Sequence, residues 1–205
     1  SGPFFILGAI GVGMFNDEQL GYFLLLVHFF SSVLIGILFR FYGGITPKAT
    51  PLPTPYFSPT QSVGEVLGDS VTSAMEVITQ IGGYIIAFSV IGTLLKQTYL
   101  VNFLTDIFYF AFYKYGVTKQ IALSWLLGVI EMSNGVHMVT HTNTLLKLKL
   151  AIISFLLAWG GFSIHAQSLH LLQGIDIKVS IYLLGKFLQG IISFILTLIL
   201  LRSEE

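Results

Sequence analysis

Cysteine is absent from the sequence, which excludes disulfide bonds, thiolate metal sites and a cysteine nucleophile within this chain. Charge is also scarce, because Asp, Glu, Lys and Arg together make up 10% of the residues, against about 25% in ordinary soluble domains. The formal net charge is +0, so the charge balance does not indicate a nucleic-acid partner. The sequence therefore argues against a water-soluble domain and against a nucleic-acid-binding protein.

Hydrophobic residues take the place of the absent charges. They make up 54% of the chain, and the mean hydropathy is +0.83. They fall in blocks such as Leu20 to Tyr42 and Ile181 to Leu201, which match the roughly 20 helical residues that cross a bilayer. A further long helix is predicted from about Val71, through the apolar stretch Ile81 to Leu95. The pattern predicts an all-α polytopic membrane protein whose solvent is the lipid bilayer.

The first segment is too short to cross a bilayer. Phe4 to Phe15 is apolar and rich in glycine, but it has about half the length of a span, which predicts half of a broken helix. The chain opens at Ser1 and Gly2, without the charged region that begins a signal peptide. We therefore expect a preceding N-terminal half of the same protein, with Ser1 and Gly2 near a shared site.

Residues 43–61 separate the first segment from the rest of the chain. They hold all but one of the six prolines and cannot form a membrane helix, so they are predicted to be an aqueous linker. The sequence thus divides into residues 1–42, the linker and residues 62–205. Within the last part, Leu100 to Tyr113 is rich in aromatic residues and short, which predicts a helix lying along the membrane surface.

A polar centre interrupts the next apolar region. Ile121 to Ile130 and Val136 to Leu146 are both short, and they flank residues 131–135, which read EMSNG. Two half-length helices around a polar tip predict a re-entrant hairpin. A carboxylate inside a membrane is costly and usually functional, so Glu131 is the strongest single candidate, as a ligand of the solute or of a coupling Na⁺ or H⁺. The alternative is that Glu131 pairs with Lys147 or caps a helix.

A second interruption follows in an otherwise apolar helix. Leu148 to Trp159 is apolar, and residues 160–167 (GGFSIHAQ) then bring glycines and hydrogen-bonding side chains. Irregular backbone in a membrane is tolerated only where it is buried in protein or lines a watery cavity, so a broken helix here indicates a site. In an extended stretch Ser163, His165 and Gln167 would face one way, whereas in a continuous helix they would scatter. The alternative role of the glycine pair is close helix packing.

The candidate site combines these segments, and no metal or other cofactor is predicted. Its predicted solute-binding residues are Ser1, Gly2, Glu131, Ser133, Asn134, Gly135, Gly161, Ser163, His165 and Gln167. His137 and His141 lie four apart and could share a metal on one helix face, but no glutamate adjoins them as in zinc proteases. We therefore expect no enzyme activity, and an intramembrane metal-dependent hydrolase is the weakest alternative.

The two ends of the chain repeat one order of features. Each has a short glycine-containing segment, a turn with an acid (Asp17 or Asp176) and a span that opens on a tyrosine (Tyr22 or Tyr182). Paired interrupted segments in corresponding places are typical of transporter repeats, which bind their solute between them. This order predicts a small-solute transporter.

Three motifs together resemble a known family. Residues 1–15 (SGPFFILGAIGVGMF), 131–135 and 160–167 are similar to the YlbJ-type sporulation integral membrane proteins, of the nucleoside-recognition or Gate domain superfamily. The resemblance implies a fold like one repeat of a concentrative nucleoside transporter, with full-length spans, a re-entrant hairpin and broken helices. In that fold residues 121–146 are the second hairpin and residues 148–172 the second broken helix, and residues 1–15 end the first broken helix.

The same resemblance implies a function. Members are associated with moving dipicolinic acid toward the forespore across its outer membrane, so we expect a bacterial membrane transporter of a small polar or anionic solute such as dipicolinate. Helix N-termini and polar side chains would donate hydrogen bonds to this dianion, the side chains being those of Ser133, Asn134, Ser163 and Gln167. No Arg or Lys lies in the predicted tips, so helix dipoles, His165 or a co-bound cation would balance its charge. A homo-oligomer, a membrane scaffold in spore formation and a nucleoside-type transporter remain open.

Overall fold

The structure is a computed structural model that describes residues 2–42, 62–171 and 178–201. Within these ranges a π-helix (Phe5–Met14) comes first. The α-helices that follow are α1 (Glu18–Phe39), α2 (Val63–Lys96), α3 (Tyr99–Phe112), α4 (Lys119–Ile130), α5 (Met132–Thr140), α6 (Leu146–Trp159), α7 (Gly161–Leu171) and α8 (Val179–Leu200). A 3₁₀ turn at Tyr113–Tyr115 follows α3. Ser1, Asp176 and the predicted linker at 43–61 lie outside the described residues.

The prediction of an all-α membrane protein is confirmed. By length and composition, four helical stretches of the described part can cross a membrane: α1, α2, residues 146–170 and α8. The helices α1 and α8 closely match the spans predicted from the sequence. The long helix α2 begins at Val63, earlier than predicted, because Ser62 and Glu65 form a capping box in which each side chain accepts the other's backbone N–H.

The helix predicted along residues 100–113 is present as α3, and its position on the membrane surface stays a prediction. The Thr98 hydroxyl accepts the N–H of Val101 and so caps its start. Asp106 of α3 accepts a hydrogen bond from Lys119 Nζ at 2.7 Å, and this bond raises the pKa of Lys119 above its ordinary value. The pair ties α3 to the beginning of the hairpin.

The first half-helix is a π-helix, in which a backbone N–H bonds to the carbonyl five residues back. Phe15 N, for example, donates to Ile10 O at 3.0 Å. The π-helix packs against α1 where two glycines meet, since a Cβ built on Gly11 would lie 2.8 Å from the Cα of Gly21. Asp17 between them caps α1. The sequence pattern predicted the short helix and the turn but not the π geometry.

The hairpin, formed by α4 and α5, is more regular than predicted. Its irregular tip is reduced from residues 131–135 to one extended residue, Glu131 (φ −133°, ψ 110°). Residues 132–135 are helical because the Glu131 side chain caps α5. The second limb ends at Thr140 rather than at Leu146, where α6 already begins.

Helix α6 forms the centre of the fold. Its residues from Leu150 to Trp159 are all buried, and α1, α4, α5 and α8 pack around it. Large apolar side chains elsewhere are exposed, including Phe29, Phe103 and Ile199. Contiguous exposed apolar surface is rare on soluble proteins, whereas lipid tails accept it. The surface therefore suits a bilayer.

A row of polar side chains joins α8 to α1 and α6, and we call it the polar seam. Ser193 Oγ lies 2.8 Å from Ser31 Oγ, Gln189 Nε2 donates to Ser32 Oγ at 3.1 Å, and Thr197 Oγ1 lies 2.9 Å from Ser154 Oγ. Such hydrogen bonds between membrane helices are worth roughly 0.6 kcal/mol each on average. The seam runs along one face of α8 and fixes how α1, α6 and α8 fit together.

Candidate functional site

Two interruptions of membrane helices meet at the centre of the site. Gly160 and Gly161, between α6 and α7, have positive φ angles of 91° and 77°. A Cβ built on Gly161 would lie 2.9 Å from the backbone N of Met132 and 3.2 Å from the carbonyl O of Ile130. Glycine is therefore required at position 161 for two reasons: the positive φ angle of its backbone, and its close contact with the break between α4 and α5.

Further contacts hold the two breaks together. Trp159 Nε1, at the end of α6, donates to the carbonyl O of Val129 near the end of α4 at 3.2 Å. Within the hairpin, a Cβ built on Gly135 would overlap the Cα of Gly128. The helices α4 and α5 thus approach backbone to backbone, and Gly135, a predicted site residue, has a packing role.

Glu131 caps α5 with both oxygens of its carboxylate. Oε1 accepts bonds from Ser133 N at 3.1 Å and from Ser133 Oγ at 2.6 Å, and Oε2 accepts a bond from Asn134 N at 2.8 Å. The residue is 3% exposed. Of the roles that the sequence left open for Glu131, the structure shows helix capping, which also suits the positive end of the helix dipole.

A cleft of about 250 Å³ lies between α2 and the hairpin. Across it, Asn134 Nδ2 donates to Ser89 Oγ at 2.7 Å. The volume of the cleft is slightly below the range of about 300 to 1,000 Å³ that is usual for small-molecule sites. The residues that line it are Phe88, Ser89, Gly92, Thr93 and Lys96 of α2, Leu127 of α4, Glu131, and Asn134, His137 and Met138 of α5.

Sequence reasoning missed the α2 side of this cleft. The long helix was predicted to end at Leu95, before Lys96, and Ser89 and Thr93 were given no role. Ser89, Thr93 and Lys96 are spaced four and then three apart, so they lie on one helix face, and that spacing was a signal available in the sequence. The predicted tips contain no Arg or Lys, but Lys96 of the neighbouring helix α2 lines the cleft together with Glu131.

The α7 residues are placed differently from the extended arrangement considered above. Helix α7 is continuous from Gly161, so the break is confined to the two glycines. Ser163 and Gln167 share one helix face, whereas His165 points elsewhere, with Nδ1 lying 3.1 Å from Tyr182 Oη of α8. None of the three lines the cleft.

The α7 side chains nevertheless carry unsatisfied polar atoms. Ser163 Oγ, His165 Nε2 and Gln167 Nε2 are buried without a hydrogen-bond partner in the described part of the chain. Buried polar atoms are normally paired, so each indicates a contact that the described residues do not supply. Of the predicted N-terminal candidates, Ser1 lies outside the described residues, and the Gly2 carbonyl accepts the N–H of Phe5 at the start of the π-helix.

The two histidines predicted to share a helix face do so at the end of α5. Their ring centroids are 4.4 Å apart, and His141 Nδ1 lies 2.8 Å from the carbonyl O of His137. Across residues 2–42, 62–171 and 178–201, no group of three or more His, Cys, Asp or Glu side chains comes together as a metal site. His137 instead lines the cleft.

Comparison with known proteins gives one curated relative. The chain is 30% identical over 216 aligned positions to the "Sporulation integral membrane protein YlbJ" of Bacillus subtilis (strain 168). The match covers 98% of this chain and 53% of the relative, so the chain spans about half the length of the protein it matches. No protein-family model matches, and no solved structure matches.

This similarity extends over nearly the whole chain and agrees with its four apolar helical stretches. It confirms the resemblance noted from the three sequence motifs, while membership of the wider Gate superfamily stays a prediction. The chain is therefore similar, over nearly its whole length, to part of a sporulation integral membrane protein, and its four apolar helical stretches support an integral membrane protein.

Proposed function

We propose that this chain forms part of the solute pathway of a membrane transporter that carries a small anion, dipicolinate, into the forespore. The observation that carries the proposal is the meeting of two broken helices, at Glu131 and at Gly160 and Gly161, beside a cleft with polar and charged walls. Interrupted membrane helices are expected only where they are buried or line a watery cavity, and in secondary transporters they mark the solute site.

The walls of the cleft have the chemistry that a carboxylate solute needs. Lys96 supplies a positive charge, Asn134 an amide donor, and Ser89 and Thr93 supply hydroxyl groups. Charge-assisted hydrogen bonds of this kind are roughly twice as strong as neutral ones. In this proposal Lys96 contributes to charge balance, in addition to the helix dipoles, His165 or a co-bound cation expected from the sequence.

Glu131 has a positioning role in this proposal. Its two oxygens are occupied by donors of α5, so the carboxylate holds Ser133 and Asn134 in place instead of meeting the anion. A coupling Na⁺ or H⁺ and an outer forespore membrane location are further parts of the proposal.

The cleft also offers a way to open and close. Its two sides, α2 and the hairpin, are joined across the space by the hydrogen bond from Asn134 to Ser89, and α2 is largely exposed along its length. Movement of the hairpin relative to α2 would open the cleft to one side of the membrane. Alternating access around a fixed site is how broken-helix transporters work.

Uptake of labelled dipicolinate into liposomes containing the full-length protein tests the function. Lys96→Gln and Asn134→Leu should each reduce uptake at least tenfold, which is about 1.4 kcal/mol. Lys114→Gln is the matched control, because Lys114 is an exposed lysine in the 3₁₀ turn after α3, and it should leave uptake unchanged.

Three outcomes decide between this function and its alternatives. If liposomes containing the wild-type protein take up no more dipicolinate than empty liposomes, transport is contradicted and a scaffold role is favoured. Uptake that excess uridine abolishes favours a nucleoside-type transporter. Full uptake by both the Lys96 and the Asn134 variants would place the solute site elsewhere.

A further inference from the structure

Helix α8 carries a lysine, Lys186, well inside a membrane span. It is the eighth residue of a 22-residue helix, which places it about 10 Å from the N-terminal end at 1.5 Å per residue. It is the one charged residue in the sequence of α8. A charged side chain at such a depth is costly, and in membrane proteins it is usually paired or functional.

The ammonium group of Lys186 points into the helix bundle. Nζ donates to Gln189 Oε1 at 3.1 Å. Gln189 follows Lys186 by three residues and so lies deeper in α8, further from its N-terminal end. Gln189 is 5% exposed, and its amide Nε2 donates to Ser32 Oγ of α1. A lysine whose ammonium group interacted with lipid headgroups would extend its side chain toward the N-terminal end of α8. The charge is therefore held at one end of the polar seam.

No carboxylate balances this charge in residues 2–42, 62–171 and 178–201. Within them no Asp or Glu oxygen lies within 4.0 Å of Lys186 Nζ. Among the helices that pack on α8, α6 contains no acid, and α1 contains only Glu18, at its N-terminal end. The remaining titratable groups around Lys186 are His28 of α1, His165 of α7 and Tyr182 of α8, and none of them is a carboxylate.

A ring nitrogen of His165, near Lys186, also lacks a hydrogen-bond partner in the described part. Tyr182 precedes Lys186 by one turn on the same face of α8, and its Oη lies 3.1 Å from His165 Nδ1. The other ring nitrogen, Nε2, has no hydrogen-bond partner in the described part, and His165 is 2% exposed. The ammonium of Lys186 on α8 has no counter-charge in the described part, and the ring nitrogen of His165 on the neighbouring α7 has no partner there. A carboxylate is a group that can accept hydrogen bonds from both kinds of donor.

We propose that Lys186 binds a carboxylate group of the transported anion inside the bundle, with His165 as its hydrogen-bonding neighbour. The proposal rests on the proposed transport function, to which it adds a second cationic position beyond the cleft at Lys96. Helix α7 leads from the break at Gly161 to His165, His165 contacts Tyr182 of α8, and Lys186 follows Tyr182 by one turn on the same helix. An Asp or Glu elsewhere in the protein has the same chemistry, and the experiment separates the two sources.

Ligand-induced rises in the melting temperature of the full-length protein in detergent test the proposal. The probes are dipicolinate, pyridine-2-carboxylate and the neutral pyridine-2,6-dicarboxamide. Lys186→Gln and Lys186→Met should weaken binding of both carboxylates at least tenfold and leave any binding of the diamide unchanged, whereas Lys186→Arg should keep carboxylate binding. Lys178→Gln, which removes an exposed charge before the first turn of the same helix, should behave as wild type.

Several results would overturn the assignment. Equal carboxylate binding by wild type and both neutral variants is one, and a wild type that no carboxylate stabilises is another. A parallel loss of diamide and carboxylate binding, with a lower melting temperature of the free protein, would indicate a salt bridge to the protein's own acid. If neither neutral variant folds, the Lys186→Arg variant decides, because a folded arginine variant that no longer binds either carboxylate rejects the proposal.

The proposed function can fail separately. A wild type that binds dipicolinate through Lys186 but carries none of it into liposomes would contradict transport alone. A wild type that carries dipicolinate, with uptake and binding unaffected by loss of the Lys186 charge, would contradict the Lys186 site alone.

Discussion

Asn134 Nδ2 donates a hydrogen bond to Ser89 Oγ at 2.7 Å, and this bond joins residues 45 positions apart. The cleft is lined on one side by Ser89 and Lys96 of α2 and on the other by Asn134 and Glu131 of the hairpin. The bond therefore links the hairpin tip directly to α2 across the cleft. The bond closes the space in which we place the solute, and it must break if the two sides move apart.

Cross-linking these two positions should therefore stop transport. The chain has no cysteine, so thiols introduced by Ser89→Cys and Asn134→Cys are the only ones that it contributes. Asn134 also lines the proposed site, so uptake by the untreated double variant is the reference. A short bifunctional thiol reagent should join the two cysteines and lower the uptake that remains to the level of empty liposomes. Each single variant treated with the same reagent is the control. Efficient cross-linking with undiminished uptake would show that α2 and the hairpin do not move apart during transport.

Gly161→Ala should destabilise the protein through the contact between the two helix breaks. The added Cβ would lie 2.9 Å from Met132 N, at a residue with φ of 77°, and the two effects together cost about 1 to 3 kcal/mol. Gly185→Ala is the matched control, because nothing lies within 4 Å of its Cβ position in α8, and it should be neutral or slightly stabilising. Melting temperatures in detergent measure both. Equal melting temperatures would mean that the breaks do not touch as described.

The polar seam predicts coupling between α1 and α8. Ser31 and Ser193 are both 0% exposed, and their hydroxyl oxygens are 2.8 Å apart. A double-mutant cycle of Ser31→Ala and Ser193→Ala should therefore show a coupling free energy of roughly 0.6 kcal/mol. Ser70→Ala paired with Ser193→Ala supplies the control, since Ser70 is exposed on α2 and bonds only its own helix. Additive effects at Ser31 and Ser193 would argue against their direct contact.

The positions of the breaks could be predicted from the sequence because their causes are local. A glycine pair and a lone acid within apolar stretches mark them, at Gly160, Gly161 and Glu131. The lengths of the two irregular segments were overestimated. Polar residues such as Ser163 and Asn134 can form part of a helix once the start of that helix is capped by a side chain or preceded by a glycine turn. Apolar residues and glycines fit an α-helix or a π-helix equally, so the geometry of residues 5–14 had no local signal.

The α2 side of the cleft could not be predicted from the sequence, for a different reason. Whether Ser89 meets Asn134 depends on how α2 packs on the hairpin, and nothing near either residue encodes that packing. The periodic spacing of Ser89, Thr93 and Lys96 indicated a common face but not what the face meets. Predictions from single helices thus located the breaks and missed the partner across the cleft.

Glu131 caps α5, and substitution of a helix cap has effects that differ from substitution of an ion ligand. Glu131→Ala removes the acceptor of two partly buried backbone N–H groups and should lower stability by about 1 to 3 kcal/mol. Uptake should fall with it, because Ser133 and Asn134 lose their positions. Asp17→Ala removes the equivalent cap of α1 at an exposed site, and it should lower the melting temperature modestly while uptake per folded protein stays unchanged.

Glu131→Gln separates capping from coupling. Glutamine keeps one oxygen acceptor but loses the charge and a second acceptor, so as a cap it should give a smaller loss of melting temperature than alanine, with uptake reduced in proportion. An ion-binding carboxylate would behave otherwise, since the glutamine variant would then keep its stability and lose ion-driven uptake completely. Measuring uptake with and without a Na⁺ or H⁺ gradient, beside the melting temperature of the same sample, distinguishes the two because only a coupling site makes the gradient irrelevant in the variant.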